Sequence, residues 1–275
     1  MAYLFVYSPI FTKRRFDYCI IDEATQITLP TCIGPLRFAD RFLLVGDHNQ
    51  LQPLVRRTEA IKKGMEKSLF KMFTEIHPNA VANLRYQYRM NEEIMNLSNS
   101  IIYDSNMLSG SAITAQTLLC IPRWNEDFLS QFHDPDYYCC HESCWLKDVI
   151  DPKRPLIMID TDNLLTKEYV SKGKYQNDME IILVEHSVKA LLAGGVSAKE
   201  IGIITPFRSQ LKHIAHKFKG YSELEVSTID RFQGREKQVI VLSLVRSNSE
   251  LKVNVIIYII LVLFSEMTWP ISLNL

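Results

Sequence analysis

Phe16-Asp17-Tyr18-Cys19-Ile20-Ile21-Asp22-Glu23-Ala24 and, a short way on, Phe42-Leu43-Leu44-Val45-Gly46-Asp47-His48-Asn49-Gln50-Leu51-Gln52-Pro53 decide how this chain is read. Each is an apolar run that stops abruptly at carboxylate or amide side chains. That is the pattern expected where parallel strands deliver reactive groups to a cleft at their carboxyl ends. The phosphate-cradling sequence G-x-x-x-x-G-K-[ST] occurs nowhere in the 275 residues.

Working outward, short apolar strands expected at 18–21, 42–45, 156–159, 201–204 and 239–245 alternate with helical patterns, which argues for an α/β architecture with parallel sheets. The clearest helix spans 178–193. There Ile181, Val184, Val188 and Leu191 form one apolar face, Asn177 or Asp178 can cap the start, and Gly194-Gly195 ends it. The least regular stretch, 105–154, reads as a linker or insertion rich in aromatic residues. The division expected is therefore a first lobe over 1–104, the connector over 105–154, a second lobe over 155–252, and a divergent apolar tail over 253–275.

Composition excludes several classes. With 47% apolar residues the chain has material for a substantial core. Lys plus Arg number 31 and Asp plus Glu number 31, so any nucleic-acid groove is local and not a general basic coat. The six cysteines lie among helix and strand patterns in a chain too large to need a disulfide framework, which points to a reducing setting. The apolar run 253–264 falls short of the roughly 20 residues that cross a bilayer, so it reads as a strand or a hydrophobic end, and no membrane association is expected. Cys139, Cys140, His141 and Cys144, with His133 nearby, supply zinc-ligand types, but adjacent cysteines and the lack of a second C-x-x-C pair depart from structural zinc spacing.

Asp22, at a strand end, can hold the Mg²⁺ that neutralises phosphate oxygens, and Glu23 can accept a proton from water. As a bare pair they would equally suit a helix start. Gln50 lies four residues past Gly46, where a neutral amide can touch a terminal phosphate or orient water. Arg89, within Tyr86-Gln87-Tyr88-Arg89-Met90-Asn91, is a permanent cation suited to charge on a transferring phosphoryl group, although a stacking or salt-bridge role is the plainer reading. In the second half, Thr205-Pro206-Phe207-Arg208 ends a strand in a hydroxyl, a ring and a cation that can meet a nucleic-acid strand. Thr228 opens the stretch that reaches Gln233-Gly234-Arg235-Glu236, where Gly234 lets backbone N–H groups approach a phosphate.

Taken in order, F-D-Y-C-I-I-D-E-A, L-V-G-D-H-N-Q-L, Q-Y-R-M-N and F-Q-G-R-E-K make the chain resemble superfamily 1 helicases of the branch that includes the nonsense-mediated-decay RNA helicase. The resemblance is closest to the eukaryotic replication helicase-nuclease (Dna-two) family, and it covers roughly residues 8–248. It implies two RecA-like lobes of the P-loop NTPase class, the first without its phosphate-loop strand, and a sheet edge left unpaired there. It implies ATP and Mg²⁺ as cofactors, with Asp22 coordinating Mg²⁺, Glu23 activating water, and Gln50 and Arg89 reading the terminal phosphate. Gln233, Gly234, Arg235 and Glu236 would face the nucleotide, Thr228 would lie near the DNA backbone, and Thr205, Pro206, Phe207 and Arg208 would line a single-strand path.

Partners implied are single-stranded DNA and replication or repair proteins. The compartment implied is the nucleus, with mitochondria as the second. The family's nuclease region and its iron-sulfur cysteines find no counterpart, so no such cluster is expected. Neither the lysine loop nor an N-V-A-I-T-R-A-type arginine motif is present, which makes ATP hydrolysis by this chain negligible on expectation. Two other readings stay open, a non-catalytic single-strand binding or regulatory module, and an RNA helicase fragment of the decay branch.

Overall fold

A strand, a helical crossover and a second strand running the same way open the described structure. The computed structural model describes residues 11, 13–125, 145–161, 168–171 and 173–246, together with the backbone of 260–263. The chain divides into two units, Met1–Leu84 and Arg85–Leu275, and each is taken by itself.

In the first unit, β1 (Phe16–Ile21) leads through a 3-10 turn (Ala24–Gln26) to α1 (Leu29–Leu36) and back to β2 (Ala39–Leu44). The strands are parallel neighbours, with Cys19 opposite Phe42 and Ile21 opposite Leu44. Alternation along β1 sends Cys19 and Ile21 inward, where Ile21, Ala24, Cys32 and Leu69 are buried with Leu44, Phe70 and Phe73 packed against them. Two further helices, α2 (Thr58–Lys62) and α3 (Leu69–Ile76), follow, and Ser68 caps α3 by accepting from the Lys71 N–H at 3.2 Å. Burial, with Cys19 close by, pushes the Cys32 thiol up to about 11, so it is a protonated core residue. The other face of the pair leaves Tyr18, Ile20 and Leu43 exposed.

The second unit begins with β3 (Tyr86–Gln87), α4 (Glu92–Ile102), β4 (Leu108–Ser109) and α5 (Ala112–Gln116). β3 and β4 pair in parallel, and Tyr88 lies directly over Gly110, where an added Cβ would sit 2.2 Å from the ring. The elements that follow are α6 (Trp145–Val149), β5 (Leu156–Ile157), β6 (Tyr169–Ser171), β7 (Lys174–Gln176), α7 (Asp178–Ala193), β8 (Ile201–Ile204), α8 (Arg208–Lys217), β9 (Glu225–Ser227), α9 (Ile229–Phe232), β10 (Val239–Leu242) and β11 (Ile260–Leu263). β6 and β7 form an antiparallel hairpin.

The main sheet has the order β5-β11-β10-β8-β9. β9, β8 and β10 are parallel, as the strand–helix alternation demands. β11 is antiparallel to both neighbours, so the sheet is mixed and the expectation of parallel sheets is corrected here. The β-branched apolar run near 260 pairs as a strand between β10 and β5. On this sheet α7 buries Ile181, Val184, Val188 and Leu191 against Ile201, Ile203, Val239 and Val241. The stretch read as a connector also feeds this core through Leu119, Ile121, Leu146 and Val149. Cys139, Cys140, His141, Cys144 and His133 lie outside the described residues. No helix among the described residues is long and apolar enough to cross a membrane.

A buried polar network fixes the exit of β10. Asn177 caps α7, its side chain accepting from the Glu180 N–H at 3.1 Å. Glu180, wholly buried, accepts from the Val245 N–H at 3.1 Å and from the Ser243 hydroxyl. Gln210 donates from Nε2 to Ser243 Oγ at 3.0 Å and to the Asn177 carbonyl at 3.1 Å, and accepts from the Asn177 N–H at 3.0 Å. These bonds hold Val245, a β-branched residue, at φ 72, a conformation that costs on the order of 1–3 kcal/mol and persists only when its surroundings over-determine it.

Burial raises the Glu180 carboxyl from 4.5 to about 7, against the lowering effect of Ser243 and the Val245 N–H. The folded chain therefore keeps this proton up to about pH 7 whereas the unfolded chain releases it near 4.5. Stability from this group is full below the unfolded value and is lost as pH rises through 7. Glu180→Gln keeps an acceptor oxygen but removes the charge. It is expected to flatten the fall in urea stability between pH 5 and pH 8, a difference on the order of 3 kcal/mol at most. Equal pH slopes for variant and parent would contradict this account.

Gly110→Ala, by driving a methyl into the Tyr88 ring, is expected to cost roughly 1–3 kcal/mol in thermal or urea melts. The double variant Gly110→Ala/Tyr88→Ala should recover part of that cost. Additive losses would show that the ring is not the obstacle.

Candidate nucleotide and nucleic-acid sites

Asp22 and Glu23 are the first residues past β1, and the ladder continues beyond them through Val45 N–H to the Ile21 carbonyl at 2.8 Å and Ala24 N–H to the Val45 carbonyl at 2.9 Å. Glu23 takes a left-handed conformation, φ 50 and ψ 38. Its N–H donates to Asp22 Oδ1 at 2.9 Å and its Oε2 accepts from Gln26 Nε2 at 2.9 Å. The turn turns both carboxylates outward, exposed, while Ala24 and Thr25 are buried beneath. Beside them, β2 leaves through Gly46, where a Cβ would lie 3.0 Å from Thr25 Cγ2 and 3.2 Å from the Thr25 nitrogen. Glycine is what lets the two strand exits run this close.

Four residues on, Gln50 is exposed and its Nε2 donates to Asp47 Oδ2 at 2.9 Å. Asp47 Oδ1 accepts from the Asn49 N–H at 2.9 Å, and the Gln50 N–H donates to the Asp47 carbonyl at 3.2 Å. Asp47 thus shapes the loop and tethers the amide. Sequence reasoning missed that role, though an aspartate directly after Gly46 and three residues before Gln50 is a turn signal. Asp22, Glu23 and Gln50 all stand at the carboxyl end of one parallel strand pair. Carboxylate oxygens at such an edge are hard ligands that suit Mg²⁺, and the residues present fit a magnesium-bound phosphate.

Arg89 belongs to the second unit. The Gln87 side chain moulds its turn: Oε1 accepts from the N–H groups of Arg89 at 2.8 Å and Met90 at 2.7 Å, while Nε2 donates to the Met90 carbonyl at 2.9 Å. Asn91 then caps α4 through the Glu93 N–H at 2.9 Å and donates to the Thr117 carbonyl at 2.9 Å. The Arg89 guanidinium, half exposed, is ion-paired with Glu236. An exposed pair of this kind contributes about 0–1 kcal/mol, little enough for a phosphate to displace it. Gln87 is a second organising residue that residue-type reasoning passed over.

Around Glu236 the backbone follows the expected glycine turn, with Gly234 at φ 75 and open space at its Cα. Arg235 is paired with Glu225, and Lys237 donates to the Lys199 carbonyl at 2.6 Å. Gln233 is half-buried, and the Thr228 carbonyl anchors α9 by accepting from Phe232 at 3.0 Å. In the other stretch Thr205 is completely buried, so it shapes the turn and presents no side chain outward. Pro206 and Arg208 are exposed and Phe207 is half-buried at the start of α8. No group of His, Cys, Asp and Glu able to hold a metal by itself occurs among the described residues.

Two AAA-domain family models match this chain, one over residues 65–257 and one over residues 5–58. The chain is 43% identical over 250 residues to the DNA replication ATP-dependent helicase/nuclease dna2 of Schizosaccharomyces pombe, covering 89% of this chain and 17% of that protein. It is 45% identical over 242 residues to the Xenopus laevis helicase/nuclease DNA2, covering 87% and 22%, and 40% identical over 243 residues to the Homo sapiens protein, covering 88% and 22%. The chain spans about a fifth of the length of these relatives. A match of this extent, over the same residues that carry the strand-end carboxylates and the Arg89 turn, means that the chain belongs to the AAA-domain helicases, in the superfamily 1 branch of the DNA2 helicase-nucleases.

Proposed function

We propose that this chain is helicase machinery of an ATP-dependent DNA helicase-nuclease that couples ATP hydrolysis to movement along single-stranded DNA in replication and repair, in the nucleus. In this reading two RecA-like lobes span 1–104 and 155–252, joined by 105–154 and followed by the tail 253–275. The observation that carries the reading is the gathering of Asp22, Glu23 and Gln50 at one end of the β1–β2 pair.

Bound Mg·ATP would supply the phosphoanhydride to be cleaved. Asp22 would hold the Mg²⁺, Glu23 would take the proton of the attacking water, and Gln50 would exchange its Asp47 tether for the terminal phosphate or that water. Within the second unit, Arg89 would exchange Glu236 for a phosphate oxygen, and residues 233–236 would face a nucleotide. Pro206, Phe207, Arg208 and Thr228 contact the strand, with buried Thr205 shaping their turn.

A chain with neither the loop lysine nor the closing arginine motif is expected to hydrolyse ATP at background. Joining both segments from the Schizosaccharomyces pombe relative to it should yield DNA-stimulated ATPase, which Asp22→Asn or Glu23→Gln then lowers at least about 100-fold. A folded joined protein without ATPase would overturn the proposal. This chain by itself should bind an oligo-dT strand at low salt, with affinity falling log-linearly as salt rises, and should prefer it to the matched RNA. A preference for RNA would assign the chain to the decay-helicase activity instead.

A further inference from the structure

We propose that Tyr175, Phe207 and Arg246 form a base-stacking site for a single-stranded nucleic acid, an inference that rests on the single-strand reading above and extends it to the β6–β7 hairpin. Three separate segments meet here. The Tyr175 ring lies 5.0 Å from the Phe207 ring, centroid to centroid, at 47°. The Arg246 guanidinium carbon sits 4.3 Å from the Tyr175 centroid, and Arg246 Nε donates to Glu168 Oε2 at 2.6 Å. A planar cation stacked on one aromatic ring with a second ring at its edge is a surface on which a base of any identity can lie.

The buried network explains why the three side chains are held together. Asn177, two residues past Tyr175, is locked to Gln210, which lies in the first turn of α8, the helix that Phe207 precedes. Glu180 fixes the left-handed Val245, and Arg246 is the next residue. One set of buried polar groups therefore sets the backbone beneath all three. The two rings are partly buried, the Arg246 side chain keeps 18% of its surface, and Tyr169, Lys174, Pro206 and Arg208 are exposed on the same hairpin and helix start.

The test compares this chain with Tyr175→Leu and Tyr175→Phe, using a fluorescein-labelled oligo-dT strand and an abasic strand of equal length, at low salt, by anisotropy. Leucine keeps apolar volume and removes the π-face. The proposal expects Tyr175→Leu to weaken oligo-dT binding about fivefold or more, with Tyr175→Phe at parental affinity and the abasic strand bound equally by all three. Parental oligo-dT affinity in Tyr175→Leu overturns the stacking site and leaves the single-strand reading standing. An equal loss on the abasic strand makes Tyr175 structural and overturns it too. No binding of oligo-dT by the parent chain overturns both.

Discussion

Parallel pairing of β1 and β2 is the constraint on which the rest depends. Two strands that run the same way cannot be joined by a tight turn. The chain must cross back over the sheet through α1, and both strands then end at the same edge. That geometry brings the Asp22–Glu23 turn and the Gly46–Gln50 loop side by side although more than twenty residues separate them. The left-handed Glu23 and the missing Cβ at Gly46 are local consequences, since a side chain at position 46 would press on Thr25. Every chemical role assigned to the first unit follows from that shared edge.

The resting hydrogen bonds carry a second lesson. Each polar group assigned to phosphate chemistry already has a partner: Gln26 for Glu23, Asp47 for Gln50, Glu236 for Arg89, Glu225 for Arg235. The first three of these contacts join exposed or half-buried groups, where screening makes exchange cheap, whereas Glu225 is mostly buried at 18% exposure. The Glu180 network is the opposite case, buried and far from water, and it fixes one bend in the backbone. Replaceable contacts surround the chemistry, and non-replaceable ones shape the frame.

Much of this was legible in the sequence, for physical reasons. The helix Asp178–Ala193 and the strand Ile201–Ile204 coincide with the expected spans, because a strong apolar period, an asparagine cap and a double glycine leave little freedom. β2 begins earlier than expected, at Ala39, because Asp40 and Arg41 look unlike strand residues but find partners in Arg15 and Tyr18. β10 stops at Leu242 and not at Val245: the Ser243 N–H still reaches the Ile204 carbonyl at 2.9 Å, but the Val245 N–H turns to Glu180. Asp47, Gln87, Gln210, Glu180 and Tyr175 escaped notice as a class: their importance lies in contacts, several of them distant in sequence, and no periodicity announces those. The antiparallel β11 escaped for the same reason, since an apolar run does not state its direction.

The most direct measurement is a structure of this chain joined to a phosphate-loop segment and bound to magnesium, ADP and beryllium fluoride. The account predicts Asp22 in the coordination sphere of the metal, directly or through water, with Glu23 and Gln50 within hydrogen-bond reach of the fluoride or the attacking water, and the Gln50–Asp47 bond broken. A nucleotide bound away from this strand edge, with Glu23 still on Gln26 and Gln50 still on Asp47, would contradict it.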